Sequence, residues 1–174
     1  MFDRAEQVCT TMSCRLCLMC FSSNSLSLLP SEPKIFHGRE TELSAIIRAF
    51  EKDAPRIAIL GAGGMGKTSL ARAVVHHSEI SNKYDQSRIF VACDSALTPG
   101  ELYGLIGSHL GLKPGKDIAK AVLTHLAGQP PSVLILDNLE TLWEPVETRE
   151  AIEELLSLLT GIQHLALIVS DEVF

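Results

Sequence analysis

The sequence predicts an α/β fold, a doubly wound parallel sheet of about four strands with helices on both faces. Three observations predict it. Runs at 56–60, 88–93, 132–137 and 164–169 are dense in Ile, Val and Leu without polar alternation, the pattern of strands buried on both faces. Longer segments with helical periodicity lie between them, at about 66–77, 99–110, 117–127 and 148–159, and strand–helix–strand repetition builds a parallel sheet. The composition, 46% hydrophobic and 21% charged over 174 residues, is that of one ordinary globular domain with a core to bury.

Taken in order, the first segment is the least regular. Cys9, Cys14, Cys17 and Cys20 form a C-x4-C-x2-C-x2-C series, a spacing that metal or iron–sulfur ligands also use. No second CxxC pair or His cluster completes a four-ligand site, and Leu16, Leu18, Met19 and Phe21 offer a short apolar or S-acylated segment instead. Asp3 and Glu6 stand where a secretory signal needs basic residues. The favoured reading is a disordered leader outside the fold. Residues 22–33 are rich in Ser and Pro, which puts the boundary of the folded domain at 33/34, with the domain over 34–170 and a tail over 171–174.

From 39 to 52, Leu43, Ile46, Ile47 and Phe50 recur on one helix face opposite Glu40, Glu42, Arg48, Glu51 and Lys52, and Pro55 stops the helix. The strand at 56–60 leads into Gly61-Ala62-Gly63-Gly64-Met65-Gly66-Lys67-Thr68 and then a helix. His76 and His77 sit about 100° apart on that helix and read as surface residues rather than a metal pair. Cys93 ends an apolar run and reads as a small buried hydrophobe. The strand at 132–137 ends in Asp137, Trp143 anchors the turn after it, and Arg149 opens a leucine-rich helix with an acidic outer side.

Residues 61–68 satisfy G-x-x-x-x-G-K-S/T with a strand before and a helix after, which makes the sheet one of the P-loop NTPase type. Glycines let successive N–H groups curl around a phosphate, and the helix adds its positive end. Lys67 is placed for the β- and γ-phosphates, and the Thr68 hydroxyl for Mg²⁺. Asp137, at the carboxyl end of a strand, is expected to face that loop and to hold Mg²⁺ directly or through water. For the attacking water, Asn138 can orient but not deprotonate, whereas Glu140 is the nearby carboxylate that could act as base. With so sparing a catalytic set, slow turnover and a switch-like role follow.

The formal net charge is −6 with no basic run, so the surface is not one that gathers nucleic acid or anionic lipid by counterion release. No apolar stretch approaches a membrane span. The expected ligand is a purine nucleotide with Mg²⁺, and the absence of an N-K-x-D element favours adenine over guanine.

Four segments resemble the nucleotide-binding domain of STAND ATPases, the NB-ARC and NOD-like group and its fungal members in particular. Phe36-His37-Gly38-Arg39-Glu40-Thr41-Glu42-Leu43 is similar to the family's GRExEL lead-in, 59–71 to its phosphate loop, 89–94 to its second strand, and 134–140 with Trp143-Glu144-Pro145 to its metal-aspartate strand. The resemblance implies a cytoplasmic ATP/ADP-dependent signalling switch, of innate-immunity type, that self-associates only in a full-length form. It also implies that Gly38 and Arg39 lie near the base, and that Gly61, Ala62, Gly63, Gly64, Met65, Gly66, Lys67, Thr68 and Ser69 hold the phosphates. His37 either touches the base or packs. Two departures stand out: Ser170-Asp171-Glu172 stands where relatives carry a γ-phosphate-sensing arginine, and the family's next strand is missing, as in a chain incomplete at its C-terminus. The strand at 56–60 is then expected at an apolar sheet edge. A small P-loop kinase and a non-functional fragment are the alternative readings.

Overall fold

The computed structural model describes residues 28–172; the cysteine series at Cys9, Cys14, Cys17 and Cys20 lies outside them. Strands β1 (Arg56–Gly61), β2 (Arg88–Ala92), β3 (Ser132–Asp137) and β4 (Leu165–Glu172) form one parallel sheet in the order β1-β4-β3-β2. The helices are α1 (Glu40–Ala49), α2 (Lys67–His76), α3 (Ser78–Tyr84), α4 (Pro99–His109), α5 (Ile118–Gly128), α6 (Glu140–Trp143) and α7 (Val146–Thr160).

Every residue of β3 is buried, because successive side chains enter two different cores. Val133 and Ile135 join Ile59, Phe90, Ala166 and Ile168 under α1, α2 and α3, where Leu70, Val74, Val75 and Ile80 close the layer. Leu134 and Leu136 join Val91, Leu165 and Leu167 under α4, α5 and α7, against Leu102, Ile106, Leu126 and Leu155. The sheet is thus doubly wound, as the unalternating strands predict.

Arg56 and Arg88, which open β1 and β2, and Lys83 in the last turn of α3 terminate helices. Arg56 donates from Nη2 to the carbonyls of Thr160 at 2.7 Å and Ile162 at 2.9 Å, and from Nη1 to Leu165. Arg88 donates to Val75 O at 2.8 Å and Asp85 O at 2.7 Å, and Lys83 to Phe50 O at 2.9 Å. Each places a cation on the unpaired carbonyls at a helix end.

Several boundaries differ from the sequence reading. Helix α1 ends at Ala49, well before Pro55, with Phe50 as its C-cap. Two short helices, α3 and α6, were not expected; α3 starts where His77 accepts from the Glu79 N–H and turns Ile80 and Tyr84 into the core. Asp171 and Glu172 continue β4 rather than forming a tail. Within the expected leader, Leu29 and Pro30 are seated on the domain: Leu29 packs on the α1–α2 core and Pro30 O lies 2.7 Å from His76 Nε2. His76 is therefore half-buried rather than a surface residue. Cys93 is a free thiol in the core, and Trp143 packs on the α4–α7 side. Strand β1 stands at one edge, with Leu60 57% exposed beside a groove of about 300 Å³ lined by Ile57, Leu139, Trp143 and Leu156. Among the described residues no helix is long and apolar enough to cross a membrane.

Leu134 is fully buried in the larger core. Leu134→Ala is expected to lower unfolding free energy by about 2–5 kcal/mol, read from urea midpoints; an unchanged midpoint would contradict this packing.

Candidate functional site

The site is assembled at the carboxyl end of the sheet, where β1 and β3 flank β4. Beyond Gly61 the chain turns through Gly64 at φ 75° and Gly66 at φ 78°, left-handed values that cost a glycine little. Gly66 is the N-cap of α2 and supplies no side-chain cap, so the first N–H groups of this helix are left to a ligand, the arrangement that suits an anion. Lys67 is only 7% exposed. Its ammonium donates to the loop carbonyls of Gly61 at 2.8 Å and Ala62 at 3.2 Å, which holds a desolvated cation at the loop mouth. Residues Gly61 through Ser69 are therefore brought together as one strand–loop–helix unit.

Asp137 closes β3 with 3% exposure. Ser170 Oγ donates to Asp137 Oδ1, and the same hydroxyl accepts from the Asn138 N–H at 3.1 Å. Asp137 O accepts from the Cys93 N–H at 2.7 Å, and Ser170 O from the Leu139 N–H at 3.1 Å. Asn138 turns the chain out of the sheet at φ 61°, an αL geometry that asparagine tolerates. Glu140 opens α6, and its Oε2 is buried with no hydrogen-bond partner among the described residues. A buried acceptor without a donor is costly, and water or a ligand proton would relieve it.

Carboxylates crowd this end. Burial, with the charges of Asp137, Asp94 and Glu140, pushes the Cys93 thiol up to about 12, so it stays protonated and is no nucleophile. Burial also pushes the Asp171 carboxyl up; the Glu172 N–H opposes this, Glu140 and Glu144 add to it, and Lys67 opposes it.

The lead-in reaches the loop directly. Gly38 turns at φ 81°, Arg39 Nη1 donates to Met65 O at 2.9 Å, and Arg39 Nε pairs with Glu42 at 3.3 Å. The guanidinium that the resemblance sets beside the base thus braces the phosphate loop. The Glu40 carboxyl is held below its usual range by its own N–H and that of Gly38, the latter bond 3.1 Å long.

Two residues escaped the sequence reading as parts of the site. Ser170 fixes Asp137, and Glu172 reaches the loop: a Cβ on Gly63 would lie 2.6 Å from Glu172 Oε1. A polar residue directly after an otherwise apolar run was the available signal for Ser170.

The family model described as Novel STAND NTPase 1 matches residues 27–171. No curated protein matches the chain. Among solved structures, the Aeropyrum pernix ORC1 protein in complex with DNA aligns at TM-score 0.67 and 18% identity over 84% of this chain. Cdc6p from Pyrobaculum aerophilum aligns at 0.66 and 16% over 82%, and the Aeropyrum pernix ORC2 protein (ADPNP-ADP complexes) at 0.59 and 18% over 82%. These are likenesses of fold, and the matches cover only 42%, 41% and 43% of the three neighbours' own chains.

Ser170→Ala removes a buried donor from Asp137 and an acceptor from Asn138. Its expected cost is about 1–3 kcal/mol of unfolding free energy, measured by urea denaturation, with Ser170→Thr milder; equal midpoints for all three proteins would show the bond to be idle.

Proposed function

The chain belongs to the Novel STAND NTPase 1 family, and we propose that it serves as a nucleotide-dependent switch that binds ATP or ADP with Mg²⁺ and turns over slowly or not at all. The observation that carries this is the uncapped start of α2 inside a glycine loop, with the buried Lys67 ammonium held at its mouth. Backbone amides and the helix end would receive the phosphates, and Lys67 would neutralise them.

The residues present fit a divalent cation: Asp137 is an acceptor-only carboxylate fixed in place by Ser170, and Thr68 stands in the first turn of α2. These two would hold Mg²⁺, which when bound supplies charge neutralisation on the phosphate oxygens. Glu140 has one oxygen without a donor and can take a proton from water, while Asn138 can orient that water. Among the described residues neither side chain has a hydrogen-bonded partner that would raise its reactivity, which supports slow chemistry and a switching role.

Within the STAND class we favour the NB-ARC or NOD-like signalling type, acting in the cytoplasm and self-associating in a longer form of the protein. The Gly38-Arg39-Glu40 lead-in supports this, being bonded to the loop through Arg39. Nucleic acid is not a favoured partner. The DNA in complex with the Aeropyrum pernix ORC1 protein belongs to that neighbour, and a net charge of −6 works against phosphate-backbone binding here.

Calorimetric titration of the folded chain with ADP and ATP in Mg²⁺ tests the reading. Lys67→Ala is expected to weaken both by roughly tenfold to a hundredfold, as loss of a charge-assisted contact predicts, and Asp137→Asn to remove most of the Mg²⁺ dependence. Turnover should fall well below the ~1–100 s⁻¹ of kinases. Folded protein that binds neither nucleotide would overturn the proposal.

A further inference from the structure

The last residues of β4 approach the phosphate loop more closely than any role assigned so far requires. In the register of the sheet, Asp171 lies opposite Leu60, and Glu172 opposite Gly61, where the loop begins. Side chains alternate along a strand. Ala166 and Ile168 face the core under α2, Ser170 faces Asp137, and Glu172 is next in that series, on the side of the sheet from which the loop and α2 rise. Its carboxyl group fills the space beside Gly63: a Cβ there would lie 2.6 Å from Oε1 and 3.3 Å from the carboxyl carbon.

This carboxylate has no ion-pair partner among the described residues; the salt bridge they contain joins Arg39 to Glu42. The Arg39 guanidinium is further committed to Met65 O, and the Lys67 ammonium to Gly61 O and Ala62 O. Asp137 stands on the same side of the sheet, one strand away. A phosphate seated on the α2 amides thus has Lys67 as its near cation; the Asp137 carboxylate is matched by Mg²⁺ when the metal is bound, and the Glu172 carboxylate beside Gly63 is left without a counter-charge among the described residues. Each further anionic phosphoryl group adds repulsion against this fixed charge, which at such short range is only partly screened.

We propose that Glu172 is a specificity-determining residue that makes the loop favour a nucleoside diphosphate over the triphosphate. The assignment rests on the reading of the loop as a nucleotide site. It also gives Gly63 a reason beyond loop curvature, since a larger residue would displace the Glu172 carboxyl group.

The test is equilibrium binding of ADP and of a slowly hydrolysed ATP analogue to the full chain in Mg²⁺, for wild type, Glu172→Gln and Glu172→Lys. Wild type should hold the diphosphate on the order of tenfold tighter. Glu172→Gln should narrow that ratio about fivefold by strengthening the triphosphate, and Glu172→Lys should bring it to parity or invert it. A ratio unchanged in both variants overturns the assignment, and so does a weaker triphosphate in Glu172→Gln, which would mean that the carboxylate assists the metal. Either result leaves the nucleotide reading intact. If wild type binds neither nucleotide, and Lys67→Ala behaves identically, the nucleotide reading itself fails and this assignment with it.

Discussion

The buried hydrogen bond from Ser170 to Asp137 is the constraint on which the site depends. A carboxylate with 3% exposure is unfavourable unless its charge is met by donors, and here the donor comes from the neighbouring strand. The same Ser170 hydroxyl accepts from the Asn138 N–H, so one side chain fixes both the carboxylate and the turn that carries the chain out of β3. The Cys93 N–H bond to Asp137 O extends the lock to the end of β2. Three strand ends are thereby fixed in register, and the fourth, β1, delivers the glycine loop on the far side of β4.

The opposite end of the sheet is secured by different chemistry. Arg56, Arg88 and Lys83 bind the last carbonyls of α7, α2 and α1 respectively, so the helices end on fixed cations and the strands begin beside them. Rigidity at the amino ends is what lets the carboxyl ends present loops without losing their spacing. Parallel strands favour this division, since every crossover helix returns the chain to the amino edge.

Much of this was legible in the sequence. Short unalternating Ile, Val and Leu runs between helical segments read as strands covered on both faces, and the glycine spacing of 61–68 carries its own geometric reason. The place of Asp137, at the carboxyl end of the sheet beside the loop, was readable because it closes such a run. What escaped was non-local or too short. The pairing of Ser170 with Asp137 depends on register between strands 33 positions apart, and Glu172 on its pairing with Gly61, which no local pattern encodes. Helix α6, at four residues, is below any periodic signal, and α3, at seven residues of SEISNKY, has little. The seating of Leu29 and Pro30 was hidden by a Ser/Pro-rich composition, which describes how a segment behaves alone and not what it packs against.

Lys67 and the glycine loop are mutually dependent. A lysine with 7% exposure has given up most of its hydration, and its partners in this structure are two neutral carbonyls of the loop itself. Carbonyl dipoles replace water only in part. The chain as a whole is acidic, so its net charge does nothing to draw an anion to this place. The unmet α2 amides and the incompletely paired ammonium are therefore deficits of the same sign at the same place, and an anion of phosphate size and charge is a ligand that relieves both at once. Glycine at the loop positions keeps the backbone close enough for the two to act on one group, which is why a protein carrying net negative charge can still present an anion site.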